Sequence, residues 1–427
     1  MNFPDAESYL YSLGNEVSAM KLGLENTRTL LTALGKPHEK YLKVQVAGTN
    51  GKGSVCAFLD SICNTAGIRT GTYTSPHLVS ITERVRINGA DISESDFAQH
   101  ATDVRETAER LLSAGELEYR PTFFEQMTAI ALVAFAESGV ELAILETGLG
   151  GRLDATTAAN AEIAAITRID YDHQEYLGET IEEIAGEKAA IIHEGSKVVV
   201  GSQYPDAMAV IERVWRDTQG GNPSGNEGVH GLLTNKETHS LPVVFPPLGL
   251  AGRHQIENAK NASLVAELLK EYFPITAENI ANGLQNARHP GRLEYVGQYL
   301  FDGAHNVGGA KALAEYLKDF ETRPITLVFG AMNDKNVAEI LSILAPLAER
   351  IVVTEPLNSR SLSYDELLDQ LPSNMSKEKT FVTDTVANAI TIAETVTPEE
   401  GLILVTGSLY LVGEVKQFFR DNPEFEI

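Results

Sequence analysis

A glycine-rich segment between a strand-like run and a helix-like run constrains the fold of this chain most. The strand-like run is Lys43–Ala47, the segment is Gly48-Thr49-Asn50-Gly51-Lys52-Gly53-Ser54, and a helical period follows from Ser54 to Ala66. Glycines let the backbone wrap a phosphate, whose charge then faces the amides of the loop and the helix N-terminus. Lys52 adds a cation, and Ser54 could offer its hydroxyl to Mg²⁺. The segment therefore predicts a phosphate-binding loop.

The loop departs from the general phosphate-loop pattern, because Gly53 separates Lys52 from the hydroxyl residue. An alternative interpretation is a glycine-rich turn in which Ser54 is the N-cap of the helix and no ligand binds. The order of strand, loop and helix favours phosphate binding, since the general motif requires that context.

Strand-like and helix-like runs alternate along the rest of the chain. Before a Pro290-Gly291 break the predicted strands are Leu142–Leu145, Ile163–Thr167 and Lys197–Gly201, and the predicted helices include Ala6–Leu13, Thr27–Leu34, Phe124–Glu137 and Ile181–Ile191. After it, strands are predicted at Tyr299–Asp302, Ile325–Gly330, Arg350–Glu355 and Leu402–Gly407, and helices at Val307–Phe320, Ala338–Leu347 and Thr385–Glu394. This pattern predicts an α/β fold with mostly parallel sheets covered on both faces, divided into residues 1–288 and a smaller domain of residues 289–427. Thr218–Glu227 is predicted to be a solvent loop or a hairpin region.

Composition limits the classes of partner. The 427 residues carry a formal net charge of -25, which disfavours nucleic acid as a partner because phosphate-backbone binding needs clustered Lys and Arg. No apolar run approaches the ~18 residues of a membrane span, and the N-terminus does not resemble a signal peptide. Cys56 and Cys63 are the two cysteines, and we expect both in the core of a protein from a reducing compartment. We therefore expect a cytoplasmic protein.

Polar residues follow several predicted strands. Glu146 ends the run Leu142–Leu145 and would lie beside the phosphate loop, where Mg²⁺ needs a hard oxygen ligand; the alternative is a solvated strand-end charge. His173 follows Ile163–Thr167 and is either the ligand of a second metal ion or an ordinary loop residue. On its own sequence, Lys188 reads as a surface lysine of a helix, and Thr74–Leu78 as a turn.

Six separated motifs now point to one family. They are Gly48-Thr49-Asn50-Gly51-Lys52-Gly53-Ser54, Ser75-Pro76-His77-Leu78, Gly148-Leu149-Gly150-Gly151-Arg152-Leu153-Asp154-Ala155-Thr156, Gly186-Glu187-Lys188-Ala189, Pro290-Gly291-Arg292 and Phe301-Asp302-Gly303-Ala304-His305-Asn306. With them the chain resembles folylpolyglutamate synthases and bifunctional dihydrofolate synthase/folylpolyglutamate synthases, a branch of the Mur ligase superfamily. The resemblance covers nearly the whole chain, and Gly53 belongs to the Mur-type form of the loop.

The resemblance implies a Mur-ligase-like P-loop domain with a smaller, Rossmann-like C-terminal domain, and it implies roles for individual residues. ATP would contact Asn50, Gly51, Lys52, Gly53, Ser54, Asn258, Arg292, Asp302 and His305. Two Mg²⁺ ions are implied, one at Ser54, Ser75 and Glu146 and a second at His173 and Lys188, the lysine being carbamylated. Lys52, Lys188 and His173 would be catalytic. The folate or pteroate group would lie near Leu22, Gly23, Leu24, Thr122, Phe123, Phe124, Glu125, Leu153, Asp154 and Ala155.

The implied reaction joins L-glutamate to a folate or dihydropteroate carboxylate at the expense of ATP, through an acyl phosphate, in a monomer. Two departures from the family pattern bear on dihydropteroate. The chain has Lys21-Leu22-Gly23-Leu24 where Asp-Leu-Gly-Leu is expected, and Asp154-Ala155-Thr156-Thr157 where Asp-Ala-Thr-Asn is expected. Three other functions stay open at this point. They are a Mur-type ligase for peptidoglycan or cyanophycin, a regulatory module that uses ATP as a switch, and a simple kinase.

Overall fold

The computed structural model describes residues 1–14, 23–218, 232–234, 246–373 and 375–423. Its strands are β1 (Leu42–Ala47), β2 (Thr70–Tyr73), β3 (Val85–Ile87), β4 (Ala90–Asp91), β5 (Leu142–Glu146), β6 (Ile163–Ile166), β7 (Lys197–Val200), β8 (Leu232–Thr234), β9 (Glu294–Val296), β10 (Tyr299–Phe301), β11 (Ile325–Phe329), β12 (Arg350–Thr354), β13 (Thr380–Thr383) and β14 (Leu402–Thr406). Its α-helices are α1 (Phe3–Tyr11), α2 (Glu25–Ala33), α3 (Lys52–Thr65), α4 (Glu94–Ser113), α5 (Phe123–Glu137), α6 (Gln174–Leu177), α7 (Ile181–Ala189), α8 (Pro205–Thr218), α9 (His254–Leu269), α10 (Ala277–Asn286), α11 (Val307–Phe320), α12 (Val337–Leu344), α13 (Tyr364–Asp369), α14 (Val386–Val396) and α15 (Leu409–Asp421).

The first sheet has the strand order β4-β3-β2-β5-β1-β6-β7-β8. The six consecutive strands β2-β5-β1-β6-β7-β8 pair in parallel with their neighbours. Strand β3 pairs antiparallel with β2 and with β4. In the register of the central strands Val46 lies opposite Glu146, and Ala47 lies opposite Ile166. The carboxyl ends of β1, β5 and β6 are therefore level, and the loops that follow them meet at one edge of the sheet.

Alternate residues of the central strands face opposite layers of helices. Val44 and Val46 of β1 belong to a buried cluster with α3 and α9, whereas Ala164 and Ile166 of β6 pack with α7 and α8 on the other face. Helices α4 and α5 complete that second layer beside β2 and β5. Near-continuous apolar strands are expected when both faces of a parallel sheet are covered, and the sequences of β5 and β6 have that character.

The second sheet has the order β13-β12-β11-β14-β10-β9, and β9 alone pairs antiparallel among its described strands. Leu327 and Phe329 of β11 face α11 and α12, and Val328 faces α14 and α15. The carboxyl ends of β10, β11 and β14 point to the same side, so the sheet offers one edge of loops to a ligand.

The predicted fold class is confirmed, as a two-domain α/β fold with mostly parallel sheets. Each strand predicted from sequence is present with ends that differ by one residue at most, and the predicted helices are present with shifted ends. The predicted boundary between residues 288 and 289 falls between α10 and β9 and stays a prediction. Thr218 ends α8, and the rest of the predicted loop Thr218–Glu227 lies outside the described residues.

Candidate active site

The phosphate loop joins β1 to α3 as the sequence predicts. Helix α3 begins at Lys52, its N-cap is Gly51 with φ 92°, and no side chain caps it. Ser54 lies inside the first turn, where its hydroxyl accepts a hydrogen bond from Gln255 Nε2 at 3.2 Å, so the interpretation of Ser54 as an N-cap is wrong. A side chain at Gly51 would collide with the amide of Asn258. The loop thus leaves backbone amides and a helix N-terminus facing the cleft.

Two lysines converge on the carbonyl group of Gly48. Lys52 Nζ donates to it at 3.1 Å and to Thr49 O at 3.3 Å, and Lys188 Nζ donates to it at 2.8 Å. Lys188 is 3 % exposed, so its interpretation as a surface lysine is wrong. Burial, with a smaller contribution from the positive charge of Lys52, lowers the pKa of Lys188 to about 7. A substantial part of Lys188 is therefore an uncharged amine near neutral pH.

Glu146 is buried at the end of β5, 6 % exposed, so it is not a solvated strand-end charge. Its Oε2 accepts the backbone N–H of Ser75 at 3.2 Å, and burial raises the pKa of its carboxyl group. With Ser54 and Ser75, it lines the same cleft as the phosphate loop. A carboxylate and two hydroxyl groups are hard oxygen donors, which fit Mg²⁺ when phosphate oxygens complete its coordination.

Protein side chains alone do not form a metal centre here. In the part of the chain that the structure describes, no group of three or more His, Cys, Asp or Glu side chains could hold a metal ion. Any cation in the cleft would therefore depend on Glu146, on hydroxyl groups and on the ligand's own phosphates, as is usual for Mg²⁺ with nucleotides.

The opposite wall of the cleft comes from α9 and from the C-terminal domain. Asp302 follows β10, and its two carboxylate oxygens accept the backbone N–H groups of Leu293 and Ala304, each at 3.0 Å. His305 follows, with Nδ1 2.8 Å from Gly303 O. The residues of both domains predicted to contact ATP or metal all line this single cleft: Asn50, Gly51, Lys52, Gly53, Ser54, Ser75, Glu146, His173, Lys188, Asn258, Arg292, Asp302 and His305. Its empty volume, which includes space open to solvent, is about 1930 Å³.

A second cavity of about 1070 Å³ adjoins the cleft. Of the residues predicted to contact a folate, those that line it are Gly23, Thr122, Phe124, Glu125, Leu153, Asp154 and Ala155. The Phe124 ring lies so close to Gly148 that a side chain there would collide with it. Leu24 and Phe123 are not among the lining residues, and Leu22 lies outside the described residues. Phe123 instead packs in the core, stacked on Tyr11 with ring centroids 5.9 Å apart.

Asp154 supports the wall of this second cavity from within. Its Oδ2 accepts the N–H groups of Gly148 at 2.7 Å and Leu149 at 3.0 Å, and its Oδ1 accepts the N–H and hydroxyl groups of Thr156 at 3.0 and 2.5 Å. Protein donors thus occupy all four acceptor positions of a carboxylate that is 2 % exposed. The contacts fix the loop after β5, on which Gly148 and Leu149 line both cavities.

Replacing Asp154 by Asn should lower the free energy of unfolding by about 2–4 kcal/mol, because an amide nitrogen would face two backbone donors. Urea and thermal unfolding followed by circular dichroism measure the change. Asp369→Asn, an exposed aspartate of α13, is the matched control and should leave both midpoints unchanged. Equal midpoints for Asp154→Asn and wild type would contradict the structural role of this carboxylate.

Sequence reasoning missed several residues that join the two domains. Asp172 Oδ1 accepts from Lys335 Nζ at 2.6 Å, and its Oδ2 accepts from Asn306 Nδ2 at 3.1 Å. Asn306 Nδ2 also donates to Asn50 Oδ1 of the phosphate loop at 3.0 Å. Lys335 follows β11 and Asn306 follows β10. Their position after parallel strands could have indicated from the sequence that they lie near the site. Arg360, after β12, lines the second cavity with Lys335.

The comparisons with known proteins agree with this geometry. Residues 46–266 match the Mur ligase middle domain, and residues 291–409 match the Mur ligase glutamate ligase domain. The dihydrofolate synthase/folylpolyglutamate synthase of Bacillus subtilis is 34 % identical over 97 % of this chain and 98 % of that protein. An Escherichia coli structure in complex with DHPP and ADP has a TM-score of 0.84 and 29 % identity, over 98 % of both chains. A bifunctional folylpolyglutamate synthase/dihydrofolate synthase structure from Yersinia pestis with AMPPNP and a Mn ion has a TM-score of 0.82 and 28 % identity, over 98 % of both chains.

Two mostly parallel sheets and these two domain matches place the chain among proteins with Mur ligase domains. Within that class the chain belongs to the folylpolyglutamate synthase/dihydrofolate synthase family. The chain spans about half the length of two haloarchaeal relatives, of which it covers 51 % and 50 %. The described residues include no helix with both the length and the apolar character needed to cross a membrane.

Proposed function

We propose that the protein uses ATP to join L-glutamate to the carboxylate of a folate or of dihydropteroate through an amide bond. ATP occupies the cleft with the predicted ligands of both domains, and the pteridine and benzoyl rings occupy the second cavity. We propose a cytoplasmic location and a monomeric state as well, and neither cavity needs residues from a second subunit to be formed.

The observation that carries this proposal is the junction of the two cavities. Ser75, Pro76, Gly148, His173 and His305 line both of them. An acceptor in the second cavity therefore reaches the point where the terminal phosphate of ATP would lie beside Lys52. Tyr119, Phe124 and Leu153 offer the flat apolar surface that an aromatic heterocycle needs, next to the polar groups of Thr122 and Glu125.

The chemistry follows from the charges at this junction. An acceptor carboxylate and a γ-phosphate repel each other, so the site must offset that repulsion before the carboxylate oxygen can attack phosphorus. Lys52 and Arg292 supply positive charge from opposite domains, and the amides of the loop face the phosphates. Mg²⁺ held by Ser54, Ser75 and Glu146 would supply further positive charge. Attack breaks the bond to ADP and gives an acyl phosphate, which the glutamate amine then converts to the amide with release of phosphate.

Lys188 supports the proposal in a second way. Its buried amine, a substantial part of which is uncharged near neutral pH, can add CO₂ and lose a proton, which turns a cation into a carbamate with hard oxygen atoms. This carbamate would lie beside Gly48 and Lys52, in contact with the phosphate site. Whether a second Mg²⁺ can bind at His173 and Lys188, as predicted, depends on which groups contact His173.

The test is ADP release with dihydropteroate, dihydrofolate or tetrahydrofolate, each with and without L-glutamate. We expect release that requires both an acceptor and glutamate, and a product heavier by one glutamyl residue in the mass spectrum. ATP turnover that ignores both compounds would indicate a nucleotide switch, and a phosphorylated end product would indicate a kinase. Either result would overturn the proposal. The rate with dihydropteroate also decides whether the enzyme is bifunctional.

A further inference from the structure

A buried ion pair joins the two domains at the edge of the nucleotide cleft. Lys335 Nζ lies 2.6 Å from Asp172 Oδ1, and the two side chains are 7 % and 8 % exposed. Lys335 belongs to the loop after β11 in the C-terminal domain, and Asp172 to the loop after β6 in the first. Asp172 immediately precedes His173, so the ammonium group of Lys335 is held next to the imidazole ring.

Lys335 Nζ lies 3.3 Å from Nε2 of His173. An ammonium group has donors only, so Nε2 must carry a lone pair and accept this hydrogen bond. The neutral ring then has its proton on Nδ1. Within the described chain this Nδ1 is buried without a hydrogen-bond partner, and the carboxylate of Asp334 is 3.8 Å away. Neither nitrogen of His173 therefore offers a free lone pair to a metal ion.

A divalent ion bound to Nε2 of His173 would also lie next to Lys335. A His nitrogen binds a metal ion at about 2 Å, a distance that leaves no room for an ammonium group 3.3 Å from the same nitrogen. The two positive charges would repel each other strongly in so buried a place. The residues present thus fit the first Mg²⁺ at Ser54, Ser75 and Glu146, but they do not fit a second at His173 in this arrangement.

We propose that Lys335 is a positioning residue that holds His173 in a form unable to bind metal, so that no second divalent ion binds at His173 while Lys335 stays in place. The inference rests on the proposed nucleotide site, because that site would hold the first ion. Lys335 has an alternative partner for its charge, since Asp334 Oδ2 lies 3.4 Å from its Nζ. The hydrogen bond from Asn306 to Asp172 does not involve Lys335 and is a separate contact between the domains.

This arrangement links the second metal position to the C-terminal domain, because Lys335 belongs to the loop after β11. While Lys335 contacts Asp172 and His173, the residues present would hold one divalent ion, at Ser54, Ser75 and Glu146, beside one tethered cation, Lys335 itself.

Titration with Mn²⁺, followed by electron paramagnetic resonance in the presence of a non-hydrolysable ATP analogue, tests the inference without catalysis. Wild type should bind one ion tightly and a second weakly. Lys335→Met should bind the second ion about tenfold more tightly or better, because a competing charge is removed, with the first ion unchanged. Lys318→Met, an exposed lysine of α11 with the same change in net charge, is the control and should match wild type.

Lys335→Gln is a second variant for the case that Lys335→Met fails to fold. The Gln amide keeps a hydrogen-bond donor for Asp172 but removes the charge. It should tighten the second ion in the same direction. A second-site affinity equal to wild type in both variants would overturn the inference. Failure of wild type to bind even the first ion with the analogue would instead contradict the proposed nucleotide site, so the two failures are distinguishable.

Discussion

Replacing Lys52 by Ala should lower kcat/KM for ATP by about 10²–10³-fold, the loss typical when one charged group that stabilises a transition state is removed. Among the described residues, Lys52 Nζ donates hydrogen bonds to the carbonyl groups of Gly48 and Thr49 and pairs with no carboxylate, so the ammonium group is available to a phosphate. Steady-state ADP release at saturating folate and glutamate measures the effect.

Lys36→Ala is the control for Lys52→Ala, because Lys36 is half exposed and paired with Glu39 at 2.9 Å. It should behave as wild type. If Lys52→Ala incorporated glutamate at the wild-type rate, the loop would not be the catalytic phosphate site, and the proposed function would lose its main support.

Glu146→Gln should weaken binding of Mg-ADP by about 100-fold, equivalent to ~2.7 kcal/mol, because the buried carboxylate is the charged ligand available to the metal. Without Mg²⁺ the sign should reverse: the variant should bind ADP at least as tightly as wild type, since it no longer repels the phosphates. Isothermal titration calorimetry with and without Mg²⁺ measures both affinities.

Glu141→Gln, a more exposed carboxylate paired with Arg69 before β5, should leave both affinities unchanged. A Glu146→Gln variant that lost ADP affinity equally in the presence and absence of Mg²⁺ would point to a structural role instead. The reversal of sign is therefore the decisive observation.

The strands at the centre of each sheet could be predicted because their signal is local. Leu42–Ala47 alternates apolar and polar residues and is followed by glycine, and both features are visible in one short window. Helix α4 was not predicted, although its signal is also local: Phe97, Ala101, Val104 and Ala108 repeat at helical spacing. Strand β13 was missed because it is half-buried at an edge and lacks a strong apolar pattern.

The environment of Lys188 could not be predicted from its own segment. A lysine in Gly186-Glu187-Lys188-Ala189 looks like any solvated helical lysine, and its burial depends on the carbonyl of Gly48, 140 residues away in sequence. Only the family resemblance placed it near the phosphates. The contact between Lys335 and Asp172 is equally non-local, since it joins loops of two different sheets.

The wall of the second cavity shows why neighbours in sequence need not share a role. Phe123 and Phe124 are consecutive at the start of α5, yet a helix turns by about 100° per residue and points them to different surroundings. Phe124 faces Gly148 and the cavity, whereas Phe123 faces Tyr11 and the core. A motif therefore locates the cavity wall, but the backbone decides which side chain forms it.

The two cysteines of α3 give the protein an internal reporter. Cys56 and Cys63 are fully buried free thiols on the helix that begins at the phosphate loop, and burial raises the pKa of each, so their reactive thiolate forms are scarce. An alkylating reagent can therefore modify them only in molecules whose α3 has separated from the sheet. The rate of alkylation measures how often that separation occurs, and a nucleotide seated at the start of the helix would slow it.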